Sequence, residues 1–133
     1  MNMGIRVAIV DDHEAIRLGF GNYCQSKGHE LVGSAATVDD LLSQISGKDC
    51  SVVVTDLSLS DGSQVSDNVT RLVAAGPAVL IFSIADKPSL MRAAVRAGAT
   101  AIVPKSQPME FLFQAIEFSN GNQLATHIHP LTA

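Results

Sequence analysis

The segment Ser51-Val52-Val53-Val54-Thr55-Asp56 decides the fold that this sequence predicts. Three consecutive valines have restricted χ1 rotamers and suit a buried strand. Because the run is continuously apolar rather than alternating, it is typical of a strand that helices cover on both faces. The run ends at Asp56, which by itself could be only a cap for the next element. Open α/β sheets bind ligands at the carboxyl ends of their strands, however, so Asp56 is also a candidate site residue.

Four further strands and five helices alternate around this segment. The predicted strands are residues 5–10, 31–35, 51–55, 78–82 and 101–103. Each predicted helix is followed by a glycine that can supply a left-handed stop: Gly28, Gly47, Gly76, Gly98 and Gly121. This alternation predicts an α/β fold with right-handed crossovers, in which a doubly wound, five-stranded parallel sheet carries helices on both faces.

Length and composition restrict the class of protein. A chain of 133 residues with 47% hydrophobic residues is expected to form one globular domain. No apolar run reaches the ~18 residues that a membrane span needs, and residues 1–6 lack the features of a secretory signal. Cys24 and Cys50 are far apart, which favours reduced thiols and a cytoplasmic location. The net charge of −4 argues against binding of nucleic acid by this segment alone.

Polar side chains occur at the ends of four predicted strands. They are Asp11 and Asp12 after the first strand, Asp56 after the third, Ser83 after the fourth and Lys105 after the fifth. Three converging carboxylates repel one another, and a hard divalent cation relieves the repulsion. An oxygen site with few protein ligands suits Mg²⁺, which keeps several of its waters.

This set of groups suits the transfer of a phosphoryl group to a carboxylate. Asp56 would be the nucleophile, while the cation, the ammonium of Lys105 and the hydroxyl of Ser83 hold the phosphoryl oxygens. Each residue alone has a simpler explanation as a helix cap, a turn residue or a solvated side chain. Their joint occurrence at the correct strand ends favours the functional interpretation.

From Ile5 to about Gly121 the chain resembles the receiver domain of two-component response regulators. The matching segments are Val10-Asp11-Asp12-His13, Val54-Thr55-Asp56-Leu57-Ser58-Leu59, Phe82-Ser83, Ala97-Gly98-Ala99 and Pro104-Lys105. The resemblance implies a flavodoxin-like sheet with the strand order 2-1-3-4-5. The acidic segments look most like the branch, of the NarL/LuxR type, in which a helix-turn-helix DNA-binding domain follows the receiver.

The resemblance also implies roles for individual residues. Asp56 would be the phosphoacceptor, and Asp12 would bind Mg²⁺ (or Mn²⁺) directly. Asp11 would act on the metal mainly through water, and the main-chain carbonyl of Ser58 would complete the protein ligands together with Asp56. Ser83 and Lys105 would contact the phosphoryl group.

The same resemblance implies a domain organisation and partners. Residues 1–121 would be the receiver domain, and residues 122–133 a linker toward a DNA-binding domain outside this chain. A histidine kinase or a phosphotransfer protein would be the phosphoryl donor. A homodimer remains open, and DNA would be reached only through the second domain to control transcription. The receiver would catalyse only its own phosphorylation and dephosphorylation, so it is not expected to be an enzyme.

Three residues near the site depart from the family pattern. Ser60 stands where a proline is usual, so the loop after Asp56 is expected to be less rigid. Ile102 replaces an aromatic switch residue. Ile84 follows Ser83 where a very small residue is usual, and it is expected to narrow access to Asp56 unless its side chain turns toward the surface.

Three other functional classes remain as alternatives. A degenerate receiver that binds partners without phosphorylation is supported by Ile84 and Ile102. A phosphatase of the haloacid dehalogenase type shares the chemistry, but its nucleophile belongs to a D-x-D pattern after the first strand. A flavodoxin would need a phosphate-binding loop that the chain lacks. His13 is expected as a polar group beside the acid pair, His29 gives no signal, and His127 and His129 do not define a metal site.

Overall fold

The computed structural model of the protein describes residues 4–84 and 87–120. Its five strands are β1 (Arg6–Val10), β2 (Glu30–Ala35), β3 (Val52–Thr55), β4 (Ala78–Ser83) and β5 (Ala101–Pro104). The five helices are α1 (Glu14–Ser26), α2 (Val38–Ile45), α3 (Val65–Ala74), α4 (Pro88–Ala97) and α5 (Met109–Asn120). The predicted alternation of strands and helices is confirmed, with strand ends that differ from the predicted ones by one residue.

The strands form one parallel sheet in the order β2-β1-β3-β4-β5. This is the order that the resemblance implied, with the topological switch between β1 and β3. Val10 pairs with Thr55, and Ser83 pairs with Pro104. The strands therefore end at one edge of the sheet, and the residues that follow them are brought together there.

Alternate strand residues point into two separate cores. In β3, Val52 and Val54 join the core beneath α1 and α5, whereas Val53 joins the core beneath α2, α3 and α4. All four residues of β3 are buried. The continuous apolar run in the sequence is thus explained by a helical layer on each face of the sheet.

Gly33 allows α2 to approach the sheet closely. A Cβ atom built at Gly33 would lie 2.8 Å from Leu41 Cδ1 and 3.0 Å from Ile45 Cγ2, closer than carbon atoms pack. Leu41 and Ile45 are both buried on the inner face of α2. Thr37 caps this helix through a hydrogen bond from the Asp40 N–H to its hydroxyl.

The loop between β3 and α3 is fixed by its own side chains. Asp61 accepts hydrogen bonds from the main-chain N–H and the hydroxyl of Ser63, which lower the pKa of Asp61. The buried Asn68 of α3 donates to the hydroxyl of Ser63 at 2.8 Å. Leu57 and Leu59 are buried beneath the loop. These contacts anchor the segment in which Ser60 replaces the usual proline.

No helix in the described part of the chain is long and apolar enough to cross a membrane. The predicted boundary at residue 121, the linker 122–133 and the histidines at 127 and 129 lie outside the described residues. They stay predictions.

Candidate functional site

Two buried carboxylates lie side by side at the carboxyl edge of the sheet. The N–H of Asp11 donates to the carbonyl of Ala35, and the N–H of Asp56 donates to the carbonyl of Val10. Each aspartate therefore continues the main-chain ladder by one step beyond its strand. Asp11 is 1% exposed and Asp56 is 5% exposed, so both side chains lie within the edge rather than above it.

Lys105 bridges these two carboxylates. Its Nζ lies 2.7 Å from Asp11 Oδ2 and 2.8 Å from Asp56 Oδ2. The main-chain N–H of Lys105 donates to the carbonyl of Ser83, which fixes the backbone of the residue just after β5. Its ammonium also lies 5.9 Å from the centre of the Phe82 ring, within range of a cation–π contact.

The second oxygen of Asp56 accepts two further hydrogen bonds. The hydroxyl of Ser83 donates to Asp56 Oδ1 at 2.6 Å, and the main-chain N–H of Ser58 donates to the same atom at 3.2 Å. The structure therefore brings Asp56, Ser83 and Lys105 together, as the sequence predicted. Their roles in a reaction stay predictions.

The site carries more negative than positive charge. Burial by itself lowers the pKa of Lys105, but hydrogen bonds and charge from Asp11 and Asp56 outweigh it, so the net pKa is raised. One ammonium cannot balance the three carboxylates once Asp12 is counted. A divalent cation would supply the missing positive charge.

His13 lies beside the acid pair. Its main-chain N–H donates to Asp11 Oδ1 at 2.9 Å, and its ring Nδ1 is 3.0 Å from the same oxygen. The ring Nδ1 is also 3.0 Å from Asp12 Oδ1 without the alignment of a hydrogen bond. Among the described residues, none makes a hydrogen bond to this buried oxygen of Asp12.

The donor set fits a hard divalent cation. One ligand atom from each of Asp11, Asp12, His13 and Asp56 lies within 4.8 Å of the others. A buried carboxylate oxygen without a hydrogen bond is costly unless a cation or water satisfies it, and Asp12 offers such an oxygen. Ser58 follows Asp56 by two residues, and its main-chain carbonyl stays a predicted ligand.

Arg17 contributes to the site, although no motif in the sequence selects it. Its Nη1 donates to the main-chain carbonyl of Asp11 at 2.6 Å and so holds the turn between β1 and α1. Arg17 lies four residues after His13, on the helix face that looks back toward β1. Its partner is a main-chain carbonyl, so no side-chain pattern in the sequence marks this contact.

The departures from the family pattern lie in different surroundings. Ile84 is 77% exposed, so its side chain lies at the surface, and the structure favours the outward orientation over the narrowed access expected from the sequence. Ile102 is half-buried against the core beneath α2, α3 and α4. Neither residue displaces Ser83 or Lys105 from Asp56.

Comparison with known proteins agrees with this geometry. Residues 7–117 match the family described as the response regulator receiver domain. The transcriptional regulatory protein UhpA of Salmonella typhimurium is 26% identical over 113 residues, which are 84% of this chain and 57% of UhpA. This chain thus spans little more than half the length of that relative.

Solved structures show the same fold. The receiver domain of NarL from Mycobacterium tuberculosis has a TM-score of 0.81 at 21% identity, covering 92% of this chain and 100% of that one. A DNA-binding response regulator of the LuxR family from Staphylococcus aureus has a TM-score of 0.78 at 19% identity, covering 87% of this chain and 98% of that one. From the family match over residues 7–117, the chain belongs to the response regulator receiver domains.

Proposed function

We propose that this receiver domain accepts a phosphoryl group on Asp56 from a histidine kinase or a phosphotransfer protein, in a Mg²⁺-dependent reaction. The observation that carries the proposal is the set of donors on Asp56. Ser83 and Ser58 donate to one carboxylate oxygen and Lys105 to the other. A buried carboxylate surrounded in this way is held in one orientation, as a positioned nucleophile must be.

The chemistry uses groups that already point at Asp56. A carboxylate oxygen forms a bond to phosphorus while the phosphorus–nitrogen bond of the donor's phosphohistidine breaks, and the imidazole leaves with the electron pair. The Ser83 hydroxyl and the Lys105 ammonium then donate to the phosphoryl oxygens. When bound through Asp11, Asp12, Asp56 and the carbonyl of Ser58, Mg²⁺ would neutralise part of the phosphoryl charge.

The phosphorylated domain would act as a switch and not as an enzyme that turns over a metabolite. Phosphate on Asp56 would bias the domain between two conformations and so control transcription through a DNA-binding domain beyond this chain. Such a protein would work in the cytoplasm, and phosphorylation could be coupled to a homodimer. UhpA, which this chain resembles over part of its length, is described as a transcriptional regulatory protein.

Labelling with acetyl phosphate tests the proposal. With Mg²⁺, intact mass should show one added phosphate that hydroxylamine removes, since an acyl phosphate reacts with that reagent. Asp56→Asn should abolish labelling and keep the fold. Asp67→Asn is a matched control, because Asp67 is an exposed carboxylate on α3 and should label like wild type.

Two results would contradict the proposal. Label that persists in Asp56→Asn, or that maps to Ser58 or Ser60, would reject Asp56 as the acceptor. A folded wild-type protein that takes up no phosphate from acetyl phosphate or from any histidine kinase would instead favour a binding module that works without phosphorylation. The departures from the family pattern at Ile84 and Ile102 are the features that support this second function.

A further inference from the structure

His13 is turned toward the acid pair although it begins a helix. It is the N-cap of α1, and its side chain makes no capping hydrogen bond. Its side chain is 63% exposed, so packing does not force the ring against the carboxylates. Instead, the ring Nδ1 forms a hydrogen bond with Asp11 Oδ1 and also lies close to Asp12 Oδ1.

As the structure stands, one of these contacts is a hydrogen bond and the other an ion-pair distance, and both lengths also equal the spacing between ligands of one cation. Nδ1 of His13 lies 3.0 Å from Asp11 Oδ1 and 3.0 Å from Asp12 Oδ1. Adjacent ligands of an octahedral cation with bonds of ~2.1 Å are separated by roughly 3.0 Å. The nitrogen is therefore spaced from Asp12 Oδ1 as a neighbouring ligand would be.

The buried oxygen of Asp12 is a second observation. No described residue gives it a hydrogen bond, although the atom is shielded from solvent. Of the two oxygens near the ring nitrogen, Asp11 Oδ1 already accepts the main-chain N–H of His13. The unsatisfied oxygen of Asp12 and the nitrogen of His13 thus point to a cation that both would bind.

We propose that His13 is an imidazole ligand of the divalent cation at this site. To bind the metal, the ring would give up its Nδ1 hydrogen bond to Asp11, carry its proton on Nε2 and present the Nδ1 lone pair. The inference rests on the proposed function, because it adds His13 to the same cation that Asp11, Asp12 and Asp56 would hold. It goes beyond that function in predicting which metal the site prefers.

A nitrogen ligand changes the metal preference. Mg²⁺ prefers oxygen ligands and retains its waters, whereas imidazole suits the first-row transition ions. Affinity for such ions rises from Mn²⁺ through Co²⁺ to Ni²⁺, and a nitrogen donor adds to that rise. The site is therefore expected to bind Mn²⁺ and Co²⁺ more tightly, relative to Mg²⁺, than three carboxylates alone would.

The experiment uses Mn²⁺ as the probe and detects the nitrogen directly. The parent protein carries His127→Ala and His129→Ala, so that the H-x-H sequence cannot bind the ion. Pulsed electron paramagnetic resonance of bound Mn²⁺ should show coupling to an imidazole ¹⁴N, and His13→Ala should remove it. His13→Ala should also lower Co²⁺ affinity by at least ~10-fold while changing Mg²⁺ affinity much less.

The controls separate this inference from the proposed function. Asp12→Ala should lose Mn²⁺ binding itself, whereas His13→Ala should keep binding but lose the nitrogen coupling. Bound Mn²⁺ without ¹⁴N coupling, or equal losses for Co²⁺ and Mg²⁺ in His13→Ala, would overturn the inference and leave phosphorylation of Asp56 intact. If the parent binds no Mn²⁺ and acetyl phosphate does not label Asp56, the proposed function fails as well.

Discussion

Lys105 is the residue on which the charge balance of the site depends. Its ammonium contacts Asp11 and Asp56 at 2.7 and 2.8 Å, and its side chain is only 8% exposed. A buried lysine remains charged when carboxylates surround it, and here their effect on its pKa exceeds that of burial. The same contacts hold the two carboxylates together in spite of their mutual repulsion.

Substitution of Ile84 tests whether this residue slows the phosphorylation and dephosphorylation of Asp56. Because its side chain lies at the surface, Ile84→Ala should leave both acetyl phosphate labelling and loss of the phosphoryl group within about twofold of wild type. Time courses of intact mass measure the two rates. Ile102→Tyr serves as the comparison, since it restores an aromatic ring at a half-buried position. Faster rates in Ile84→Ala alone would show that the isoleucine does restrict access.

Cys24 should make the protein less stable in alkali. Burial, with a smaller effect of Glu30, raises the pKa of Cys24 from 9.0 to about 11. The folded state thus holds the thiol proton more tightly than the unfolded state, so this stabilisation is complete below pH 9.0 and is lost as pH rises through about 11.

Urea unfolding between pH 8 and pH 11 measures this effect. The free energy of unfolding should fall by on the order of 2 kcal/mol more in wild type than in Cys24→Ala, because only in wild type does unfolding expose a thiol that then ionises more readily. Other groups that titrate in alkali affect both proteins equally and cancel in the comparison. Parallel curves for the two proteins would show that Cys24 does not contribute.

At the scale of elements, His29 connects α5 with the amino ends of the strands. Nδ1 of His29 accepts the N–H of Ile5 at 3.0 Å, and Nε2 lies 3.0 Å from Glu117 Oε2 on α5. The ring also stacks on Phe113, with 6.0 Å between ring centres. One buried side chain thus joins the residue before β1, the turn before β2 and the last helix.

Substitution of His29 should destabilise the fold more than substitution of its partner Glu117. His29→Ala leaves the buried Ile5 N–H without an acceptor and opens a cavity beside Phe113, so it should cost about 2–4 kcal/mol. Glu117→Ala should cost less than about 1 kcal/mol, because the Glu117 side chain is 40% exposed and water can replace it. Equilibrium unfolding in urea measures both. Equal losses would mean that the contact with Glu117, rather than the contact with Ile5, holds the helix.

The loop after Asp56 shows how side-chain contacts can compensate for the absence of the usual proline. A proline would restrict the backbone at position 60, and here side-chain hydrogen bonds restrict the loop from its other end. Asp61 and Ser63 bond to each other, and Asn68 joins them to α3. The sequence predicted a loop that is less rigid, and the structure shows which contacts fix it.

At the scale of the whole molecule, the sequence could predict most of the fold and the centre of the site. Strand ends in a parallel sheet meet at one edge, so the positions of Asp56, Ser83 and Lys105 followed from the alternation of elements and the family pattern. Sequence position alone could not reveal His29 and Glu117, which are 88 residues apart and meet only through packing. Arg17 was missed for a related reason, since it contacts a main-chain carbonyl that no side-chain pattern marks.

The charge of the site should make stability depend on Mg²⁺. Without a cation, Asp12 adds a third negative charge to the edge, so Asp12→Asn should stabilise the metal-free protein by about 1 kcal/mol. Mg²⁺ at ten times its dissociation constant should stabilise wild type by about 1.4 kcal/mol and Asp12→Asn much less. Thermal unfolding with a chelator tests whether Asp12→Asn stabilises the metal-free protein. Thermal unfolding with Mg²⁺ tests whether the cation stabilises wild type more than this variant. Asp39→Asn, an exposed carboxylate on α2, is a control that should keep the Mg²⁺ response.

The main-chain N–H of Lys105 donates to the carbonyl of Ser83. Insertions should therefore be tolerated less well in the strands that carry these residues than at the amino ends of the strands. This hydrogen bond places the hydroxyl and the ammonium on neighbouring rungs of one ladder, so their separation is set by strand pairing. One extra residue within β4 or β5 would turn Ser83 or Lys105 to the opposite face of the sheet, because side chains alternate along a strand. The turn between α2 and β3 lies at the amino ends of the strands and positions no group of the site. Changes of chain length in relatives of this domain should therefore accumulate there and be excluded from β4 and β5.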